Sequence, residues 1–157
     1  MYLRRAKAND AEAITTVINA AFRLAESFLV DRDRVDQELV HSLLKKGTFL
    51  VADDNGAVQG CVYVELQGER AYLGLLSVDP QHQKSGLGSK LMDAAEIFCA
   101  GEGALFADLR IVSVRRELPS FYQHRGYIAT GTSPFPTGFD PKVPCHFIEM
   151  SKPLAGE

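Results

Sequence analysis

Leu73-Gly74-Leu75-Leu76-Ser77-Val78-Asp79-Pro80-Gln81-His82-Gln83-Lys84-Ser85-Gly86-Leu87-Gly88-Ser89-Lys90-Leu91 is the stretch from which the fold is read. Its first half is apolar and predicts a strand running to Val78; Pro80, which has no N–H for a sheet ladder, stops it. Its second half opens a helix, because Leu87, Leu91, Ala94, Ala95 and Phe98 recur at helical spacing. Between strand and helix lies a turn with two glycines. A helix N-terminus carries unpaired N–H donors and the positive end of the helix dipole, and a diphosphate uses both. Gly86 and Gly88 keep side chains out of the way, so backbone N–H groups can approach phosphate oxygens, and Lys84 adds a mobile positive charge.

Other phosphate-binding patterns fit worse. The P-loop needs four residues between its first glycine and Gly-Lys-Ser/Thr, and Gly88-Ser89-Lys90 has the wrong order. The dinucleotide fingerprint Gly-x-Gly-x-x-Gly fails at Leu91. The bland alternative is a glycine-rich helix start that binds nothing.

Downstream of this helix, which Gly101 or Gly103 ends, Ala104 to Val112 predicts a strand, and Leu118 to Arg125 a short helix closed by Gly126. Tyr127 to Thr132 and His146 to Met150 read as the last strands, joined by a loop with Pro134, Pro136, Pro141 and Pro144. Upstream, Thr48 to Ala52, Val58 to Leu66 and Ala71 to Val78 form an antiparallel meander, with Asp53-Asp54-Asn55-Gly56 as its first turn. Tyr2 to Lys7 is a short first strand. A helix then begins with the capping pair Asn9 and Glu12 and carries Ile14, Val17, Ile18, Ala21, Phe22 and Ala25 on its apolar face. A second helix opens at Asp33, turns Val35, Leu39, Leu43 and Leu44 inward, and stops at Lys45-Lys46-Gly47. The segment from Ala71 to Val112 is strand–helix–strand, a crossover that favours a parallel pair. The expected architecture is α/β with a mixed sheet, antiparallel in its N-terminal half, in a single domain over residues 1–157.

Composition excludes several classes. The 157 residues are 46% hydrophobic and 24% charged, ordinary for a globular chain. A net charge of −3 and a pI of about 5.8 give no footprint for nucleic acid or an anionic membrane. No apolar stretch approaches the ~20 residues of a membrane span, and Met1 to Lys7 lacks the apolar region of a secretory signal. Cys61, Cys99 and Cys145 are an odd count without paired spacing and read as reduced thiols of a cytoplasmic protein. They share no ligand spacing with the four histidines, so no metal site is expected.

Val-x-Pro followed by Arg/Gln-x-x-Gly-x-Gly/Ala resembles the coenzyme A motif of the GCN5-related N-acetyltransferases (GNAT), and Val78-Asp79-Pro80 through Gln83 to Gly88 matches it in full. A second stretch, Phe121-Tyr122-Gln123-His124-Arg125-Gly126-Tyr127, is similar to that family's Leu/Phe-Tyr-x-x-x-Gly-Phe/Tyr landmark. The order of segments also matches from about Met1 to Pro153. The resemblance implies a GNAT-like acyl-CoA N-acyltransferase fold, acetyl-CoA as cofactor, and a small-molecule or peptide amine as acceptor, in a monomer or homodimer. It implies that Gln83, Lys84, Ser85, Gly86, Leu87, Gly88 and Ser89 hold the pyrophosphate. It further implies that the strand Ala71 to Val78 splays from a neighbour beyond residue 127. The pantetheine arm would lie in that gap along Leu76, Ser77 and Val78, with the Val78 N–H toward the thioester carbonyl. One position departs: many members carry Asn seven residues before the tyrosine, and this chain has Arg115, with Ser113 nearby as the remaining side chain for the pantetheine arm. Arg115 and Arg116 lie near the cofactor phosphates or in solvent, and solvent is expected for at least one.

Acetyl transfer to an amine needs a neutral amine, a held thioester, oxyanion stabilisation and a proton for the departing thiolate. The family landmark makes Tyr122 the candidate general acid and a contact of the cofactor, against the alternative of a core tyrosine; Tyr127 is expected in the core. Glu65 and Tyr72 are candidates for the base on the acceptor side, ahead of Glu26 and Glu149, against the alternative of solvated carboxylates. His124 is expected exposed, Cys61 and Cys99 buried, and Cys145 near the acceptor cleft. Residues 133–145, with Phe135, Phe139 and Asp140, are expected to wall the acceptor end. A protein N-terminus or lysine as acceptor, and a non-catalytic acyl-CoA sensor, are the other functions weighed.

Overall fold

The computed structural model describes residues 1–30, 32–136 and 141–154. The chain runs β1 (Tyr2–Arg5), α1 (Ala11–Glu26), α2 (Gln37–Lys46), β2 (Thr48–Asp54), β3 (Ala57–Gln67) and β4 (Arg70–Val78), then α3 (Leu87–Gly101), β5 (Phe106–Val112), α4 (Leu118–His124), β6 (Ile128–Pro134) and β7 (His146–Pro153). This is the order that the hydrophobic pattern predicts. Among the described residues the strands form one seven-stranded sheet in the order β1-β2-β3-β4-β5-β7-β6. The architecture is α/β with a mixed sheet, antiparallel except where β4 meets β5.

Alternation along the strands builds two cores. Val62 and Val64 of β3, Leu73 of β4, and Leu109 and Ile111 of β5 pack with Leu91, Met92 and Ala95 of α3 on one face. Cys61 and Tyr63 of β3 pack with Ile14, Val17 and Ile18 of α1 and Val40 of α2 on the other. Leu91 is completely buried, and each such side chain contributes about 1.5–3 kcal/mol. That contribution fixes the start of α3 over the end of β4. No described helix is long and apolar enough to cross a membrane.

Both helix starts in the N-terminal half differ from expectation. Asn9 lies inside a short 3-10 turn, Ala8–Asp10. Asp10 closes that turn, its Oδ2 accepting from the Lys7 N–H at 2.7 Å, and stands at the N-cap of α1 without a side-chain bond to the helix. α2 opens at Gln37 rather than Asp33, because the Asp36 side chain accepts from the Leu39 N–H at 2.8 Å and satisfies a donor the helix leaves unpaired. Val35 cannot join the helix: Asn19 holds both its N–H, at 3.0 Å, and its carbonyl, at 2.8 Å. The later start turns Val40 inward and leaves Leu39 exposed.

The crossover gives the expected parallel pair, but a short one. β4 pairs with β5 only through Arg70↔Phe106, Ala71↔Ala107 and Tyr72↔Asp108. The neighbour from which β4 parts is therefore β5. It is not a strand beyond residue 127: β7 lies along the far side of β5, and β6 lies outside β7.

Candidate active site

Two features hold β4 away from β5 beyond Tyr72. The first is a bulge: the β3 register jumps from Cys61↔Ser77 to Tyr63↔Gly74, so an extra residue of β4 is accommodated there. Leu75 takes a left-handed φ of 55° within it, a conformation costing about 1–2 kcal/mol for an L-residue. The Ser77 Oγ donates to the Leu75 carbonyl at 2.9 Å and helps hold the bulge. The second is Gly74, where a Cβ would come within 2.9 Å of the Tyr72 ring; glycine lets that ring fold over the strand.

Past the bulge, β4 offers donors to the gap. The Asp79 N–H is spent on the Gln59 carbonyl of β3 at 2.8 Å. Successive N–H groups of an extended strand point to opposite edges, so the Val78 N–H is directed to the edge facing β5.

The turn after β4 is built by short local bonds. The Asp79 side chain caps a 3-10 turn, Pro80–His82, by accepting from the Gln81 N–H at 2.9 Å. Gln83 Nε2 donates to the Val78 carbonyl at 3.2 Å, and Ser85 Oγ to the His82 carbonyl at 2.5 Å. Lys84 and Gly86 are both left-handed, with φ of 66° and 83°, which curls the backbone so that N–H groups face one side. The first helical bond of α3 runs from the Lys90 N–H to the Gly86 carbonyl, so the earlier N–H groups have no partner within the helix. A Cβ on Gly86 would meet nothing within 4 Å, and one on Gly88 only Val78 Cγ2, at 4.0 Å. The space above this N-terminus is open.

Gap and turn belong to one cavity of about 460 Å³ that continues to α1. Of the residues expected at the cofactor, Leu76, Ser77, Val78, Gln83, Lys84, Gly86, Leu87, Gly88 and Ser89 line it. Ser85 shapes the turn without lining the cavity. Ser113 is not brought to it: its Oγ accepts from the His146 N–H at 3.1 Å, tying the end of β5 to β7.

Tyr122 lies in the wall on α4, only 7% exposed. Edge contacts with the Phe121 ring at 4.9 Å and the Tyr127 ring at 5.7 Å fix its direction. No described residue hydrogen-bonds its hydroxyl, and its ring borders the cavity. Burial pushes its pKa up to about 12 against the opposing pull of Arg115 and Arg125, so the phenol stays protonated at neutral pH. Tyr127 behaves differently: it is 1% exposed and donates to Glu96 at 2.9 Å.

The candidate bases separate. Tyr72 lines the cavity, as does Glu26 from the last turn of α1. Glu65 does not reach it. Its carboxylate accepts from the Tyr63 hydroxyl at 2.7 Å and from Gln67 at 3.1 Å, bonds that hold its pKa below the usual range. Glu149 accepts from Ser133 at 2.6 Å and is not in the lining either. Arg115 is not solvated; it bridges Glu26, at 3.1 Å, and Glu117, at 2.8 Å, whereas Arg116 is exposed. Sequence reasoning missed Arg34 and Arg110, which line the α1 end. For Arg110 a signal existed, a charged residue alternating with Leu109 and Ile111; for Arg34 none did.

Cys61 and Cys99 are buried, and burial pushes their thiols up to about 12 and about 11. Burial and the Glu26 carboxylate also raise the pKa of Cys145, so no thiolate nucleophile is supplied. His124 is exposed and bonded to the Ser120 carbonyl. Phe135 and Pro136 line the cavity, and Lys142 ties its loop to the end of α1 through the carbonyls of Leu29, at 2.6 Å, and Ser27, at 2.9 Å. Phe139 and Asp140 lie outside the described residues.

The model of the acetyltransferase (GNAT) domain matches residues 45–129. No curated protein matches the sequence. Similar solved structures include the ribosomal-protein-S18-alanine N-acetyltransferase from Escherichia coli, with a TM-score of 0.79 at 17% identity over 99% of this chain and 96% of that one. An aminoglycoside 6'-N-acetyltransferase complexed with coenzyme A has a TM-score of 0.79 at 17% identity, over 100% and 99% of the two chains. Ard1 from Thermoplasma volcanium has a TM-score of 0.78 at 19% identity, over 98% and 97%. At these identities the likeness is one of fold.

Proposed function

We propose that this chain, which belongs to the GNAT acetyltransferase family, moves the acetyl group of acetyl-CoA to a primary amine by direct attack. The observation that carries the reading is the continuity of the cavity: an open helix N-terminus, a strand edge with a free N–H, and the Tyr122 phenol border one space.

The residues fit coenzyme A at each point. The N–H groups at the start of α3 and the Lys84 side chain hold the diphosphate, as the open space over Gly86 allows. The edge of β4 along Leu76 to Val78 takes the pantetheine arm in the gap left by β5. When bound, acetyl-CoA would supply a thioester: the amine lone pair becomes the C–N bond, and the C–S bond breaks with its electron pair going to the departing sulfur. The Val78 N–H, directed to the edge facing β5, donates to the carbonyl oxygen as charge grows there. Tyr122 gives its proton to the departing sulfur; such assistance is typically worth about 10² to 10⁴ in rate. Glu26, the carboxylate in the described lining, takes the proton that the amine loses. Tyr72 lies over Gly74 on the amine side and orients the acceptor.

A thiol-release assay with acetyl-CoA against a mixed panel of amines, peptides and aminoglycosides tests this reading. Amine-dependent release with stoichiometric N-acetyl product supports it. Tight acetyl-CoA binding with no release across the panel would instead favour an acyl-CoA sensor.

A further inference from the structure

Charge in the α1 end of the cavity is unbalanced. Its described lining supplies one carboxylate, Glu26, and three guanidiniums, Arg34, Arg110 and Arg115. Arg115 is already paired with Glu26 and Glu117. Arg34 and Arg110 have no hydrogen bond or ion pair to any described residue. Each instead lies over an aromatic ring, Arg34 at 5.5 Å from the Phe22 centroid and Arg110 at 4.4 Å from that of Phe147. A ring beneath the guanidinium plane leaves the N–H edges free to form a fork for an oxyanion. Phe147 is itself stacked on Phe135 at 5.3 Å, so Arg110 sits on a built surface. Burial lowers the Arg34 pKa; Glu26 and Tyr72 oppose that effect, and Arg110 is close enough to add to it by repulsion. Two like charges held that near, one of them half-buried, are relieved by an anion between them.

Neither guanidinium belongs to the diphosphate turn. Leu109 and Ile111 pack on the α3 face, so alternation places Arg110 on the opposite, α1 face of β5. Arg34 precedes the Asp36 cap of α2. The glycine turn opens α3 on the other face.

We propose that the acceptor is a small zwitterion, an amine that also bears a carboxylate, with the carboxylate between Arg34 and Arg110 and the amine toward Glu26 and the β4–β5 gap. This rests on the acetyl-transfer reading and names the class of amine. Arg115 bonds only Oε2 of Glu26, so the amine end meets the other carboxylate oxygen while the carboxylate end meets the two guanidiniums.

The probe is a set of amino acids, each beside its own carboxamide, with a dipeptide and its C-terminal amide as a second arm. Binding to the chain saturated with coenzyme A is read by calorimetry, because amidation also changes the basicity of the amine and would confuse a comparison of rates. Turnover is read separately by thiol release with acetyl-CoA. The acid should bind at least ~10-fold tighter than its amide, as charge-assisted hydrogen bonds require. Arg110→Gln, at an exposed position, should remove most of that preference while coenzyme A affinity holds. Arg34→Lys, which keeps the charge but not the fork, should lose less than Arg34→Gln. Equal binding of acid and amide, a preference that survives both Gln variants, or no binding by any carboxylated member would overturn the proposal. So would a dipeptide bound more tightly than every single amino acid. Carboxylate-dependent binding without thiol release would keep the carboxylate site between the two guanidiniums but overturn acetyl transfer, and with it the role of that ligand as acceptor.

Discussion

Gly86→Asp puts a carboxylate where the cofactor diphosphate is expected, and its effect can be worked from the turn. Gly86 is the N-cap of α3 with φ of 83°, and a Cβ there meets nothing within 4 Å. The folding penalty is therefore left-handed strain, about 1–2 kcal/mol, or a Tm lower by about 2–8 °C for a chain of this size. The new carboxylate recovers about 0.3–1 kcal/mol of that from the helix dipole. Binding suffers far more. Like charges about 4 Å apart cost about 4 kcal/mol at an effective dielectric of 20. The turn is exposed, and screening that removes a third of this leaves about 2.7 kcal/mol, ~100-fold in Kd. Gly86→Ala carries the same strain without the charge, so it separates the two effects and should bind acetyl-CoA at least ~10-fold better than Gly86→Asp. Calorimetry gives Kd and thermal unfolding gives Tm. An acetyl-CoA affinity for Gly86→Asp within about threefold of the parent, with Tm in the stated range, would refute the placement of the diphosphate.

Tyr122→Phe should lower kcat by ~10-fold or more with acetyl-CoA affinity and Tm nearly unchanged, measured by steady-state kinetics beside calorimetry. The phenol donates only while protonated, so this contribution is lost as pH rises through its pKa; because burial pushes that pKa to about 12, kcat should stay level past the ordinary phenol value of about 10. Hydrogen bonds from Arg4 hold the Asp10 carboxyl below the usual range. A depressed carboxyl pKa gives stability that is present above the unfolded value of about 3.9 and lost as pH falls through the folded one. Tm should therefore be level from neutral pH down to about 5 and fall below about 4, with a shallower fall in Arg4→Gln. Replacing 134–141 by a short Gly/Ser linker removes Phe135 and Pro136 from the cavity wall; kcat/KM for the amine should fall while acetyl-CoA affinity holds.

The order of elements was legible because each carries its own periodicity and ends on proline or glycine, as at Pro80 and Gly126. The turn from Gln83 to Gly88 was legible for the same local reason: cap, glycines and helix are consecutive. Long-range partners were not. Asp33 and Asp36 look equally able to cap a helix, and only Asn19, sixteen residues upstream, decides between them by holding Val35. Glu65, late in a strand, was a candidate base; its Tyr63 and Gln67 partners are only two residues away on the same strand face, so here it was the side-chain rotamers, not distance, that the sequence did not show. The strand from which β4 parts is set by a bulge at Leu75; Gly74 beside it marks an irregular strand but does not say which neighbour is lost. Arg34 and Arg110 come together through the path of the chain after α1, which no local pattern encodes.

The position of the diphosphate in a crystal of this chain with coenzyme A tests the central claim most directly. The account predicts phosphate oxygens at hydrogen-bonding distance, about 2.7–3.2 Å, from the N–H groups of the turn at Gly86 and the start of α3, with the pantetheine arm between β4 and β5 and its sulfur toward Tyr122. Phosphates on Arg34 and Arg110, or a pantetheine arm outside the β4–β5 gap, would contradict it.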